Sequence, residues 1–304
     1  MSSSKFQPPF LRKGDEVAII SPAYFIEEEQ LEDSVRILEG WGLRVHISKN
    51  ALKREGPFAG TERERISDIQ EMTRSGNIKA IFCSRGGYGL LKIIDKIDFS
   101  ALKRYPKWYC GFSDVTILLV WLSEVVGLMT IHGEMPLNYL NREIRPETLD
   151  SLHDALFGGL EPVSWRGEFF RSGTATGEVT GGNLSLLYSL MGTIAEPKTR
   201  GRILFLEDTD EYLYHIDRMM TSLRLAGKLR GLAALVAGGF TSVKNTKIPW
   251  DTSVEQIISS VTSTYRYPVL TGFPAGHTGD NRAFYIGRRA SLVVTEGEAT
   301  FSYL

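Results

Sequence analysis

The stretch Glu16-Val17-Ala18-Ile19-Ile20-Ser21-Pro22-Ala23 decides the fold. It is apolar on consecutive residues and rich in β-branched side chains, and Pro22 closes it, as befits a strand buried on both faces. After it, Leu31, Val35 and Leu38 recur at steps of four and three up to Gly40, and Leu43 to Ser48 alternates as a second strand. The unit is β-α-β. The pattern continues with a charged helix over Thr61 to Arg74, a strand Ile78 to Arg85, a glycine turn and a helix. A strand near Trp108 to Cys110, a helix Asp114 to Val126 and a strand Leu128 to His132 follow. Parallel neighbours need crossover connections, so this half predicts a Rossmann-like or flavodoxin-like parallel sheet covered on both sides, with ligands at the carboxyl ends of its strands.

Around Phe157 to Gly177 the periodicity lapses into Gly, Pro, Ser and Arg. The expected division is an amino-terminal α/β domain over 1–160, a linker over 161–176, and a smaller carboxyl-terminal α/β domain over 177–304. In the second half, helices are expected after Asn183, near Leu213 to Leu225 and near Val254 to Tyr265. Strands are expected at Arg202 to Glu207, Leu232 to Gly239, Ser291 to Thr295 and Ala299 to Tyr303.

At 304 residues, 42% hydrophobic and 23% charged, the chain has the composition of an ordinary globular protein. Its net charge of -1 removes the long-range attraction that drives non-specific binding to nucleic acid or anionic lipid, so neither is an expected partner. Cys83 and Cys110 sit in apolar stretches without metal-ligand spacing and read as reduced core residues. With no apolar run of signal-peptide or membrane-spanning length, the expected location is the cytoplasm.

Five histidines shorten the search for a general base. His46, His153 and His215 occupy polar surroundings and read as surface residues. His132 ends a strand in Thr-Ile-His-Gly-Glu and His277 lies in a glycine-containing loop; each fits a structural or a functional role. Gly111-Phe112-Ser113-Asp114 stands between an apolar strand and an apolar helix. Ser113 would be held there on a sharp turn over a helix amino terminus, which suits a nucleophile and equally suits a helix cap. Val115 departs from the full nucleophile-elbow pattern, which has Gly at that position.

Ser84-Arg85-Gly86-Gly87-Tyr88-Gly89 follows a buried strand but matches neither a dinucleotide fingerprint nor a Walker loop. Its bare amides can stabilise negative charge and Arg85 can meet a carboxylate, and the segment equally suits a purely structural tight turn. Glu207 closes an apolar run and is followed by Asp208, Asp210 and Glu211. That cluster lacks EF-hand spacing, so metal is the weaker reading; a carboxylate at a strand end is suited to orienting an imidazole. Ser113, Glu207 and His277 thus supply nucleophile, orienter and base.

Gly-Phe-Ser-Asp at 111–114, Ser-Arg-Gly-Gly-Tyr-Gly at 84–89, Gly-Gly-Asn-Leu at 181–184, Leu-Phe-Leu-Glu-Asp at 204–208 and Gly-His at 276–277 together resemble the LD-carboxypeptidase family of serine peptidases, from about Leu11 to the carboxyl terminus. The resemblance implies a two-domain α/β protein, usually a homodimer, with Ser113, Glu207 and His277 as the catalytic set and no metal or cofactor. It implies removal of terminal D-alanine from murein tetrapeptides during cytoplasmic wall recycling. The amide of Asp114 and one from Gly86 or Gly87 would form the oxyanion hole, and Arg85, Tyr88 and Asn183 are the expected substrate contacts.

Two departures stand out: His132-Gly133-Glu134-Met135 where the family commonly has His-Gly-Pro-Met, and Tyr285-Ile286-Gly287 where it commonly has Pro before the glycine. Glu134 is expected either to meet a substrate amine or to be a solvated strand-end carboxylate. Two other readings compete. One is a microcin-immunity-type peptidase cleaving peptidyl-nucleotide antibiotics, with Trp165 stacking on a base or packing between domains. The other is a non-catalytic two-domain ligand-binding protein.

Overall fold

Val17 to Ile20 are fully buried, which is what consecutive apolar residues require of a strand with both faces covered. The computed structural model describes residues 5–167, 169–296 and 298–304. Strand β1 (Glu16–Ile20) pairs in parallel with β2 (Arg44–Ile47) and β3 (Ile78–Cys83), and β4 (Trp108–Gly111) and β5 (Thr130–His132) extend the sheet. The order β2-β1-β3-β4-β5 is that of a flavodoxin-like doubly wound sheet, in which the direction of winding reverses between β1 and β3. Helices α1 (Glu28–Gly40) and α2 (Glu62–Arg74) make the first two crossovers. A capping box starts α2: Thr61 Oγ1 accepts the Glu64 N–H, and Glu64 Oε2 accepts the Thr61 N–H.

The helix expected after Gly89 is absent. In its place are three short 3₁₀ turns at Leu90–Lys92, Ile94–Lys96 and Ser100–Lys103. Local side-chain bonds draw this backbone away from an α-helix: Gln70 bonds both the N–H and the carbonyl of Asp98, and Asp98 Oδ1 accepts the Ser100 N–H. After β4 a continuous helical run begins as a 3₁₀ turn at Ser113–Val115, becomes α3 (Thr116–Trp121) and ends as a π turn at Leu122–Val126. Helix α4 (Pro146–Phe157) follows β5.

The chain divides into two compact units, Met1–Leu160 with Gly279–Gly287, and Glu161–Thr278 with Arg288–Leu304. Residues 161–176 are therefore not a linker. They hold β6 (Val163–Trp165), β7 (Phe169–Arg171) and the start of β8 (Gly173–Asn183). β6 and β7 have three residues each and β8 opens on Gly and Thr, so these strands are specified by their neighbours rather than by periodicity, which is why they read as loop. The carboxyl half of β8 pairs in parallel with β9 (Ile203–Thr209), and β10 (Ala234–Thr241) and β11 (Val269–Leu270) continue the parallel set. Helices α5 (Leu184–Ser189), α6 (Leu213–Leu225) and α7 (Val254–Thr262) are the helical segments of this unit.

Residues 279–287 return to the first unit, so the expected 177–304 domain is interrupted there. Their strand β12 (Phe284–Ile286) lies antiparallel beside β5. Gly279 supplies a carbonyl to the N–H of Arg145 and the hydroxyl of Thr148, and Thr148 Oγ1 accepts the N–H of Asn281. Hairpin strands β13 (Arg289–Thr295) and β14 (Glu298–Tyr303) then join the amino half of β8. Among the described residues no helix is long and apolar enough to cross a membrane.

Candidate active site

Ser113 follows β4 at the carboxyl end of the first sheet, half-buried, with φ of 59°. A side chain in the left-handed region costs roughly 1–2 kcal/mol, and such strain collects at functional turns. The glycine loop after β3 closes on this serine. A Cβ on Gly86 would lie 2.9 Å from Ser113 Cβ, 3.1 Å from its Oγ and 3.3 Å from the Asp114 nitrogen, so only glycine allows the approach. Ser113, Asp114 and Gly86 are thus brought together. Gly87 packs on the ring of Tyr24, and Tyr88 stands 47% exposed beside Phe58. At the switch point, Ser84 Oγ donates to Ser21 Oγ at 2.7 Å.

Arg85 is half-buried, donates through Nη1 to the Phe25 carbonyl at 3.0 Å and lies 5.8 Å over the Tyr24 ring. Its Nε is buried with no hydrogen-bond partner among the described residues. Asp114 is buried beneath the glycine loop. Burial pushes its carboxyl up to about 6, while the N–H groups of Leu90 and Gly89 and the charge of Arg65 pull the other way.

In the second unit Glu207, fully buried at the end of β9, accepts through Oε2 from His277 Nδ1 at 2.7 Å. An ionised carboxylate can only accept, so the bond places the proton on Nδ1 and leaves Nε2 as the basic nitrogen. The His277 side chain is 21% exposed. Gly276, at φ 109°, makes the contact feasible: a Cβ there would sit 2.8 Å from Glu207 Cβ and 3.0 Å from Oε2.

The acidic cluster around Glu207 disperses. Asp208 accepts from Asn183 Nδ2 and from the N–H and hydroxyl of Ser185, Asp210 pairs with Lys244, and Glu211 pairs with His215. Each of these carboxylates is committed to protein donors, with the Ser185 hydroxyl also reaching Glu211 Oε1 at 3.0 Å.

His132 resolves into the structural role. It is fully buried, stacks on Phe284 at 4.5 Å, and its Nε2 meets Asn281 Oδ1 at 3.2 Å. Glu134 is neither solvated nor open to a substrate amine. It is 1% exposed, its Oε1 accepts from the Met135 N–H and Asn138 Nδ2, and its Oε2 accepts from Asn281 Nδ2. The amides around it turn a strand-end carboxylate inward because a buried charge needs several donors.

Asn183, expected at the substrate, is 3% exposed and caps α5: its Oδ1 accepts the Leu186 N–H while Nδ2 holds Asp208. Trp165 is a core residue of the second unit, edge-on to Phe273 with its indole N–H donated to the Thr271 carbonyl. It has no ring face to offer a base. The reading from sequence missed Arg65, which is 2% exposed on α2. Its place in the charged run Glu62 to Arg65 resembles a solvated helix face, so no signal distinguished it.

Comparison with known proteins bears on the same two units. Residues 17–133 match the family description "LD-carboxypeptidase N-terminal domain" and residues 176–292 match "LD-carboxypeptidase C-terminal domain". The chain is 35% identical over 308 residues to the probable murein peptide carboxypeptidase of Bacillus subtilis, covering 98% of this chain and 94% of that protein. It is 31% identical over 290 residues to the murein tetrapeptide carboxypeptidase of Pseudomonas aeruginosa, covering 91% and 92%. The crystal structure of muramoyltetrapeptide carboxypeptidase from Oxalobacter formigenes matches with a TM-score of 0.87 at 28% identity, over 95% of this chain and 98% of that one. With both domain descriptions matched in order and full-length relatives above 30% identity, the chain belongs to the LD-carboxypeptidase family.

Proposed function

We propose that the protein is a serine LD-carboxypeptidase that removes the terminal D-alanine of murein tetrapeptides, with Ser113 as nucleophile, His277 as general base and Glu207 as the group that orients it. The observation that carries the reading is the serine held at φ 59° on a strand-to-helix turn in a chain of this family. The Glu207–His277 pair adds the base such a hydroxyl needs. In the reaction, His277 Nε2 takes the Ser113 proton as Oγ attacks the carbonyl between the L-centre and the D-residue. Glu207 stabilises the imidazolium, which then protonates the departing amine of D-alanine. Water, activated by the same imidazole, releases the acyl group. The amides of Asp114 and of Gly86 or Gly87 receive the oxyanion, a role in which one donor is worth about 2.7–4 kcal/mol in a comparable enzyme.

Arg85 and Tyr88 are the side chains of the glycine loop available to substrate, Arg85 for a carboxylate and Tyr88 through its exposed ring. The same reading includes a homodimer acting without metal or other cofactor in the cytoplasm, where the buried, unpaired Cys83 and Cys110 stay reduced. Purified protein incubated with tetrapeptide and a chelator should release D-alanine, and Ser113→Ala should release none. Loss of activity on chelation, or an active Ser113→Ala protein, refutes the reading. Light scattering of the purified protein checks the dimer. Preferential cleavage of a peptidyl adenylate over the tetrapeptide would transfer the site to the antibiotic-cleaving alternative.

A further inference from the structure

The loop that faces Ser113 is tied down from beneath by two buried, oppositely charged side chains that the proposed reaction does not use. Asp114 is 1% exposed, and its Oδ2 accepts the N–H of Leu90 at 3.0 Å. Its Oδ1 has no hydrogen-bond partner among the described residues, so the carboxylate gives its bonding to the loop. From the other side Arg65 Nη1 donates to the Pro22 carbonyl at 2.9 Å and to the Gly89 carbonyl at 3.4 Å, with the guanidinium 4.9 Å over the Phe58 ring. Both anchors grip one peptide unit, the Gly89 carbonyl and the Leu90 N–H, at the far end of the Gly86–Leu90 segment whose first glycine touches Ser113. Burying two ions at one loop is costly, and a loop that needed only to turn would not require it.

We propose that the Asp114 carboxylate and Arg65 are positioning residues that clamp the Gly89–Leu90 main chain, one through an N–H and the other through a carbonyl. The clamp keeps the Gly86–Gly87 amides aimed at the oxygen that becomes negative when Ser113 attacks. The inference rests on Ser113 being the nucleophile. It assigns the Asp114 side chain a task separate from that of its own main-chain amide. Donors contribute to the rate only while fixed in place, so loosening the loop should lower kcat and leave substrate binding nearly intact.

The test compares Asp114→Ala, Asp114→Asn and Arg65→Lys in the full-length protein, by steady-state release of D-alanine and by hydrogen exchange over residues 86–90. Asp114→Ala should lower kcat about tenfold or more with KM changed less than about twofold, and the loop amides should exchange faster. Asparagine keeps an acceptor for the Leu90 N–H and should restore most of both. A folded Asp114→Ala protein with wild-type kcat and exchange overturns the clamp, as does an Asp114→Asn protein as impaired as the alanine variant. Should Asp114→Ala fail to fold, Arg65→Lys, which keeps the charge and loses the fork, decides by the same criteria. Should the wild-type protein release no D-alanine, the proposed function fails, and hydrogen exchange alone decides whether the clamp exists.

Discussion

Ser113 holds an unfavourable backbone conformation, φ 59°, as the first residue of its helical turn, whereas Thr61 caps α2 from an extended conformation. The strain belongs to the turn that presents the hydroxyl. Alanine at this position inherits it, whereas glycine does not. Ser113→Gly should therefore be more stable than Ser113→Ala by about 1 kcal/mol, measured by urea unfolding, with both variants inactive toward tetrapeptide. Equal stability would mean that the left-handed conformation is not held in solution. The residue scale also explains why the sequence left Ser113 open between cap and nucleophile. Both roles call for a small polar side chain before a helix, and only its φ and the approach of Gly86 separate them.

Helix α5 begins at a strand end where Asn183 does two jobs, capping the helix and holding Asp208 beside Glu207. Its motif, Gly181-Gly182-Asn183-Leu184, drew attention as a candidate substrate contact, because a strand-to-helix junction is where α/β proteins bind ligands. The amide is spent within the protein. Asn183→Ala should destabilise the protein by about 1–2 kcal/mol in chemical unfolding, while KM for tetrapeptide stays within about twofold of wild type. A large rise in KM at unchanged stability would return Asn183 to the substrate. Glu134 teaches the same lesson at the end of β5. A charged side chain in a polar tetrapeptide looked accessible, yet Asn138 and Asn281, the second of them 147 residues away, close over it.

Among the described residues, Asp208 and Asp114 are buried carboxyls whose titration bears on stability. Burial pushes Asp208 up to about 6; the Ser185 bond opposes this, the charge of Glu207 adds to it, and the Thr209 and Asn183 bonds oppose it. Burial likewise pushes Asp114 up to about 6. A carboxyl that holds its proton more tightly when folded favours the folded state below its unfolded value near 3.8, and that contribution is lost as pH rises through about 6. Asp208→Asn removes one such titration. The curve of unfolding free energy against pH should then fall less steeply between about pH 4 and 6, by up to about 1.4 kcal/mol per pH unit. The slope is the readout, since the absolute stability also changes with the lost hydrogen bonds; an unchanged slope would show that Asp208 does not titrate there. The sequence by itself determined the doubly wound sheet, because Val17 to Ile20 and Ala80 to Cys83 are apolar without alternation, as strands buried on both faces are. It also named Ser113, Glu207 and His277 as candidates, because five histidines leave few choices of base and the serine and glutamate fall where apolar strands give out. Only the tertiary structure decided that Glu134 and Asn183 turn inward, that Arg65 leaves its charged helix face for the interior, and that strands β6, β7 and the start of β8 fall within 161–176. Each depends on partners distant in sequence, and neither a polar group's burial nor a short strand's pairing leaves a periodic trace in the chain.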